Sequence, residues 1–129
     1  MFELVGEWSC ETFTNWPSEQ RYTVDESDRL VLRNDLQSPD GPVTIVQRFR
    51  FNSHAKRWST YIDGGDFSAK GGEWLERRWN LDGVWRGISK PARLVYTFLG
   101  PDAYRRDFQL LEAGRWRSSS GETCYRVGE

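Results

Sequence analysis

The amino-acid sequence predicts an all-β protein: one domain over residues 1–129, folded as a closed antiparallel up-and-down β-barrel of about eight to ten strands with little helix. Three observations carry this expectation. Apolar residues recur with period two along most of the chain, and no helical period persists beyond a turn or two. The prolines, at positions 17, 39, 42, 91 and 101, fall between the alternating runs, as expected of a residue that cannot donate to an interior ladder. Finally, the two ends match each other. If Gly6-Glu7-Trp8-Ser9-Cys10 pairs antiparallel with Thr123-Cys124-Tyr125-Arg126-Val127 so that Trp8 faces Arg126, the constant index sum of facing residues sets Cys10 opposite Cys124. A sheet whose first strand pairs with its last has no free edge and is a barrel.

The elements follow in order. Phe2-Glu3-Leu4-Val5 suits a short helical turn or a plug at the barrel mouth. Trp8, Cys10 and Thr12 alternate with Glu7, Ser9 and Glu11, giving a strand with its even face buried, which Asn15-Trp16-Pro17-Ser18 breaks. Strands follow at Arg21-Tyr22-Thr23-Val24 and at Leu30-Val31-Leu32-Arg33, and Ser38-Pro39-Asp40-Gly41-Pro42 turns the chain. The clearest strand is Val43 to Phe51, with Val43, Ile45, Phe49 and Phe51 on one face and Thr44, Arg48 and Arg50 on the other. Trp58 to Ile62 and a short strand around Phe67 come next. Glu73 to Leu81 and Val84 to Ile88 read as a hairpin across Asp82-Gly83, a pair suited to a two-residue type I′ turn. Leu94, Tyr96 and Phe98 alternate, then Tyr104, Arg106, Phe108 and Leu110, and Ala113-Gly114 opens the last strand, Arg115 to Val127.

Composition narrows the function. A length of 129 residues supports one core, and charged residues at 29% nearly cancel to a formal net charge of −1. That balance speaks against a broad electrostatic hold on nucleic acid or an anionic membrane. No apolar run approaches the ~20 residues of a membrane span. Met1-Phe2-Glu3-Leu4 runs straight into the first strand without a leader, so the expected location is cytoplasmic, or periplasmic or secreted if a leader has been removed. Two cysteines either bridge in an oxidising compartment or stay reduced in the cytosol, and the missing leader favours reduced thiols. Aromatics reach 15%, including seven Trp and seven Phe, a content suited to strand faces and pocket walls. One His and no paired Cys motif give no basis for a metal site, and no cofactor is expected.

Gly6-Glu7-Trp8 resembles the Gly-x-Trp motif that begins the first strand of lipocalins, and Arg126 resembles the arginine that packs across that tryptophan. Over nearly its full length the chain also looks like small bacterial members of the calycin superfamily, the group of lipocalin-like and fatty-acid-binding-protein-like barrels. In these an early Trp-Ser/Thr-Cys precedes a Gly-rich central hairpin and a late Cys-x-Arg. The Thr-Asp-Tyr motif of lipocalins is absent, Pro101-Asp102-Ala103-Tyr104 being a faint echo of it. The resemblance implies a barrel with a cavity for a small, mainly apolar molecule, and some calycins hold lipid carboxylates with interior arginines.

The residues themselves suggest where such a ligand would sit. In a hairpin turning at Asp82-Gly83, Leu75, Arg77, Trp79, Leu81, Val84, Arg86 and Ile88 share one face, the more apolar one, which is expected to point inward. Arg77 and Arg86 would then stand beside Trp79 and meet a carboxylate in bidentate geometry, unless they lie outside and snorkel over neighbouring rings. Arg106 is a further interior candidate, with a salt bridge to a nearby acid as the alternative. Phe49, Tyr96, Tyr104, Phe108 and Trp116 complete the expected ligand-binding set, Trp116 sharing a face with Ser118 and Ser120. Trp8, Arg126, Cys10 and Cys124 are expected to be structural. His54 lies in a polar loop and is expected to be solvated; haem ligation by it is a remote alternative. Glu76 and Asp107 are carboxylates fit for acid–base work only if buried.

Two functions are compatible with this reading. One is the binding of a small apolar or amphipathic, carboxylate-bearing molecule. The other is a cofactor-independent isomerase or cyclase of a biosynthetic pathway, folding a flexible substrate in the same cavity. A small molecule is the expected partner, with the protein a monomer or a homodimer formed through Trp16 or Trp85. A third possibility is a barrel whose seven tryptophans simply fill it.

Overall fold

The structure, a computed structural model, describes residues 4–13, 16–27, 29–52, 54, 57–63, 67–71, 78–85 and 90–127. Ten strands close into one antiparallel barrel in which neighbours in sequence are neighbours in the sheet and the first strand meets the last. They are β1 (Gly6–Thr12), β2 (Pro17–Val24), β3 (Leu30–Ser38), β4 (Gly41–Asn52), β5 (Arg57–Ile62), β6 (Phe67–Gly71), β7 (Arg78–Trp85), β8 (Ala92–Gly100), β9 (Ala103–Glu112) and β10 (Arg115–Arg126). Pro17 and Pro42 lie in the first two positions of β2 and β4 rather than between strands, at the ends where a missing donor does least harm.

The seam has the expected register: Trp8 faces Arg126 and Cys10 faces Cys124. The Arg126 guanidinium lies 4.2 Å from the Trp8 ring centroid, an arrangement worth roughly 0.5–2 kcal/mol. The same guanidinium donates to the carbonyls of Val5 (3.1 Å) and Pro101 (3.3 Å) and to Asp102 Oδ1 (3.2 Å). Gly6, at φ 133°, clears the way for it, because a Cβ there would stand 2.9 Å from Arg126 Nη1. On the inner side, Trp8 Nε1 donates to the carbonyl of the fully buried Leu4 (2.9 Å), so Leu4 caps this end of the core. Cys10 and Cys124 form a disulfide across 114 residues, a correction to the expectation of reduced thiols. Register explains the bridge: two facing positions on one side of an antiparallel pair bring the sulfur atoms together. Closing so long a loop contributes on the order of 2–4 kcal/mol.

Two expectations fail for local reasons. The Asp82-Gly83 hairpin does not form, and β7 runs straight through both residues. Along that strand Leu81 faces Gly71 on β6 and Leu94 on β8, while Asp82 faces Lys70 and Arg93. Asp82 accepts from Arg93 Nε at 2.6 Å, so its carboxylate is held by a neighbouring strand instead of a turn. A hairpin would put Leu81 and Val84 on one face; a continuous strand puts them on opposite faces, and Val84 is 61% exposed. Among the described residues, the two-residue turn with both φ values positive is Ala113-Gly114 (50° and 77°), closed by the Glu112–Arg115 pair.

Trp116 is the second of these two failures. A bulge between Ser118 and Ser120 shifts the register of β10 on β9, so residues before and after it no longer keep one alternation. Ser120 and Glu122 stand opposite the inward Phe108 and Arg106, whereas Trp116 stands opposite Leu111 on the outer face beneath the Arg93 guanidinium, 4.0 Å from its ring centroid.

The β6–β7 pairing is tight at one point. A Cβ on Gly71 would overlap the Leu81 side chain and the Asn80 carbonyl. Gly71→Ala is therefore expected to cost about 1–3 kcal/mol in denaturant unfolding, whereas a hairpin at Asp82-Gly83 would free Gly71 from Leu81 and make the substitution nearly neutral.

Candidate functional site

The alternation that closes the barrel also sorts its interior into two zones. Towards the Leu4 end, Trp8, Tyr22, Phe49, Trp79, Tyr96 and Tyr104 are buried to within 2% of full exclusion and pack ring against ring. Trp79 lies 5.4 Å from Phe49 and 5.3 Å from Tyr96, and Tyr104 lies 4.7 Å from Trp8 and 5.6 Å from Tyr96, centroid to centroid. Phe49, Trp79, Tyr96 and Tyr104, expected to line a cavity, instead fill this zone. Rings of this size from six of the ten strands leave no room between them.

Across the middle runs a buried polar network. The Tyr22 hydroxyl lies 2.9 Å from that of Tyr96 and 3.0 Å from that of Tyr104, and Tyr104 donates to Gln20 Oε1. Gln20 Nε2 donates to Glu122 Oε1 (2.6 Å), and Arg106 Nε lies 2.9 Å from the same oxygen. Arg106 Nη1 donates to Gln47 Oε1 (3.1 Å) and to the Tyr96 hydroxyl (3.3 Å), and Gln47 Nε2 donates to Thr60 Oγ1 (2.8 Å). Arg106 therefore lies inside and also has its acid. Sequence reasoning missed that acid, although Glu122 follows Ser120 and precedes Cys124 on one alternation, a signal the polar Ser118-Ser119-Ser120 run obscures.

Burial governs the titration of this network. Desolvation raises the Tyr22, Tyr96 and Tyr104 hydroxyls above their ordinary 10.0, Tyr22 and Tyr104 well above it, with Tyr104 and Tyr96 adding to the rise of Tyr22 and Tyr96 to that of Tyr104. For Arg106 burial works the other way, but the Glu122 carboxylate and the three phenols outweigh it and hold the guanidinium charged.

Beyond the network, at the end of the barrel away from Leu4, lies a cavity of ≈ 400 Å³. Its floor is Arg106, Glu122 and Asn34; its walls include Phe13, Trp16, Leu36, Ile45, Ile62 and Phe108. Asn34 is only 7% exposed, and its Oδ1 has no hydrogen-bond partner. A second hollow of ≈ 270 Å³ runs along the outer surface between Glu7, Glu19, Arg21, Arg33 and Asp35. There Arg21 pairs with Glu7 and Arg33 with Asp35 in the open, and its apolar border is Trp8 and Val127, a smaller apolar wall than the end cavity has.

Of the expected ligand-binding residues, the cavity gathers Arg106 and Phe108; Ser120 and Trp16, the latter expected in a dimer patch, line it as well. Arg77, Arg86 and Glu76 lie outside the described residues, as does the side chain of Trp85. Asp107 is buried and takes Arg105 Nε at 3.1 Å, facing away from Arg106. His54 is exposed in the loop between β4 and β5, where its backbone N–H donates to Asn52 Oδ1. Among the described residues no cluster of three His, Cys, Asp or Glu is placed to hold a metal ion, and no helix is long and apolar enough to cross a membrane.

No protein-family profile matches the chain, and no curated protein does. Among solved structures it is similar to a protein of unknown function from the DUF3598 family of Nostoc punctiforme, at 16% identity and a TM-score of 0.48, over 97% of this chain and 48% of that one. The chain thus spans about half the length of that protein.

Two outcomes follow. In a spectrophotometric titration, three of the five tyrosines are expected to resist ionisation until the chain unfolds. Because their folded pKa values lie above the unfolded one, the folded state keeps more protons; its stability is intact below about 10 and falls as pH rises beyond it. Arg106→Met, which strands a buried carboxylate, is expected to cost about 3–5 kcal/mol, and adding Glu122→Leu should recover much of that loss in a double-mutant cycle.

Proposed function

We propose that the protein binds a small apolar or amphipathic molecule in the ≈ 400 Å³ cavity, its apolar body against Trp16, Leu36, Ile45, Ile62 and Phe108 and its polar end towards Arg106, Glu122 and Asn34. The observation that carries this reading is the contrast between apolar walls and a polar, buried floor, the pattern of a site that orients what it holds. The size suits a modest ligand rather than a lipid with long chains. The reading takes the barrel as calycin-like, on the strength of Gly6-Glu7-Trp8 at one side of the seam and Arg126 at the other. The acid head group expected to meet Arg77 and Arg86 is a separate proposal from the described cavity, because both arginines lie outside the described residues.

A cofactor-independent isomerase or cyclase is the second reading. What favours it is Glu122, a carboxylate at the floor of an apolar cavity and braced by Arg106, a placement suited to moving a proton on a bound substrate. Recovery of a chemically altered molecule after incubation with the protein would separate turnover from binding.

Titration of tryptophan emission with medium-chain alcohols, amides and fatty acids is expected to give a saturable change with at least one of them, because Trp16 stands in the cavity wall. Ser120→Phe, at an exposed position beside the cavity, should weaken that binding by at least about tenfold while the unfolding midpoint barely moves. No response to any of these compounds, or an unaltered affinity in the filled variant, would count against the proposal.

A further inference from the structure

Resting on the binding proposal above, we infer that the cavity selects an uncharged head group that both gives and accepts hydrogen bonds, an alcohol or a primary amide, over a carboxylate or an ammonium.

The charges around the cavity are already matched. Three charged side chains line it among the described residues: Arg106, Glu122 and Asp63. Arg106 and Glu122 meet at 2.9 Å, 4% and 7% exposed, so the floor carries no net charge. The guanidinium is also engaged by Gln47 and Tyr96, and the carboxylate oxygen it meets also takes Gln20. At the rim, Asp63 lies 3.2 Å from Arg48. A ligand carboxylate would therefore leave water to join Glu122 beside one cation, and an ammonium would face a guanidinium already committed to its acid. Neither ion finds an uncompensated partner, and an ion moved out of water without one binds poorly.

Two buried atoms of the floor lack a hydrogen bond: Arg106 Nε, whose charge is nonetheless met by Glu122 at 2.9 Å, and the neutral Asn34 Oδ1. Asn34 stands in the floor, nearly buried, with no partner for Oδ1, although a buried amide oxygen is costly to leave bare. Its carboxamide has donor and acceptor atoms at one tip, so a hydroxyl or amide, which also has both, complements it in either orientation. Ser120 adds a hydroxyl at the wall. The other hydroxyls are already used: Thr12 Oγ1 accepts from Trp16 N–H at 2.9 Å, Thr44 donates to Asp35 at 2.7 Å and Ser119 donates to the Phe108 carbonyl at 3.2 Å.

Calorimetric titration of the full chain at neutral pH with decanol, decanamide, decanoate and decylamine decides the matter, since only the head group differs. Decanol and decanamide are expected to bind at least about tenfold more tightly than either ion. Decanoate or decylamine binding as tightly overturns the inference while leaving the cavity as the binding site; failure of all four overturns the inference together with the reading beneath it. Glu122→Gln supplies the converse test. Removing the counter-charge exposes Arg106, and decanoate should then gain at least about tenfold; no gain in a folded variant refutes the charge argument. The comparison of the four compounds on the unaltered chain stands whether or not that variant folds.

Discussion

The pairing of β1 with β10 holds every other part of the molecule in place. An antiparallel sheet of ten strands left open would expose two edges and both ends of its inner face. Joining the ends removes the edges and makes the interior a closed volume. The join is built from three kinds of contact on three sides of the same few residues: the ladder itself, the Cys10–Cys124 bridge, and the Arg126 guanidinium laid over Trp8. Arg126 matters less as an ion pair, since Asp102 is 75% exposed and screened by water. Its larger part is geometric: one planar fork ties the β8–β9 turn, the residue before β1 and the Trp8 ring together.

Once the volume is closed, side-chain size decides what remains of it. The strands that meet around Trp79 contribute large rings, and that part of the barrel is solid. β1, β3 and β10 contribute Thr12, Asn34 and Ser120 further along, and there the barrel is hollow. Between the two zones the polar network acts as a partition. Buried hydrogen-bonding groups are expensive unless matched, and here tyrosines, glutamines, an arginine, a glutamate and a threonine on six strands bond to one another. A partition so connected fixes the positions of Arg106 and Glu122 closely, which is what a binding floor requires.

Legibility from sequence followed the range of the interaction. Alternation gave the strands, their faces and the interior position of Arg106, because period two is a local property of each run. The Asp82-Gly83 hairpin misled because a turn-prone dipeptide is only a local preference. Arg93 on β8 holds Asp82 in line, and Leu81 fills the space that Gly71 leaves open. Trp116 misled for a related reason: a single inserted residue between Ser118 and Ser120 reverses the faces on one side of it, and no composition signal marks the place.

The sequence by itself determined a closed antiparallel barrel and the register of its seam, since index sums and alternation are arithmetic on residue positions. Tertiary structure alone decided which inward residues touch. Glu122 and Arg106 are 2.9 Å apart, and Asn34 joins them across the floor from β3. Glu122 and Arg106 face each other across the one β9–β10 pairing, once the bulge between Ser118 and Ser120 has set its register, but their meeting with Asn34 depends on how far each strand is displaced along its neighbour from β3 round to β9. Such displacements accumulate over four pairings, each set by its own turns and bulges, so no single stretch of the chain contains them.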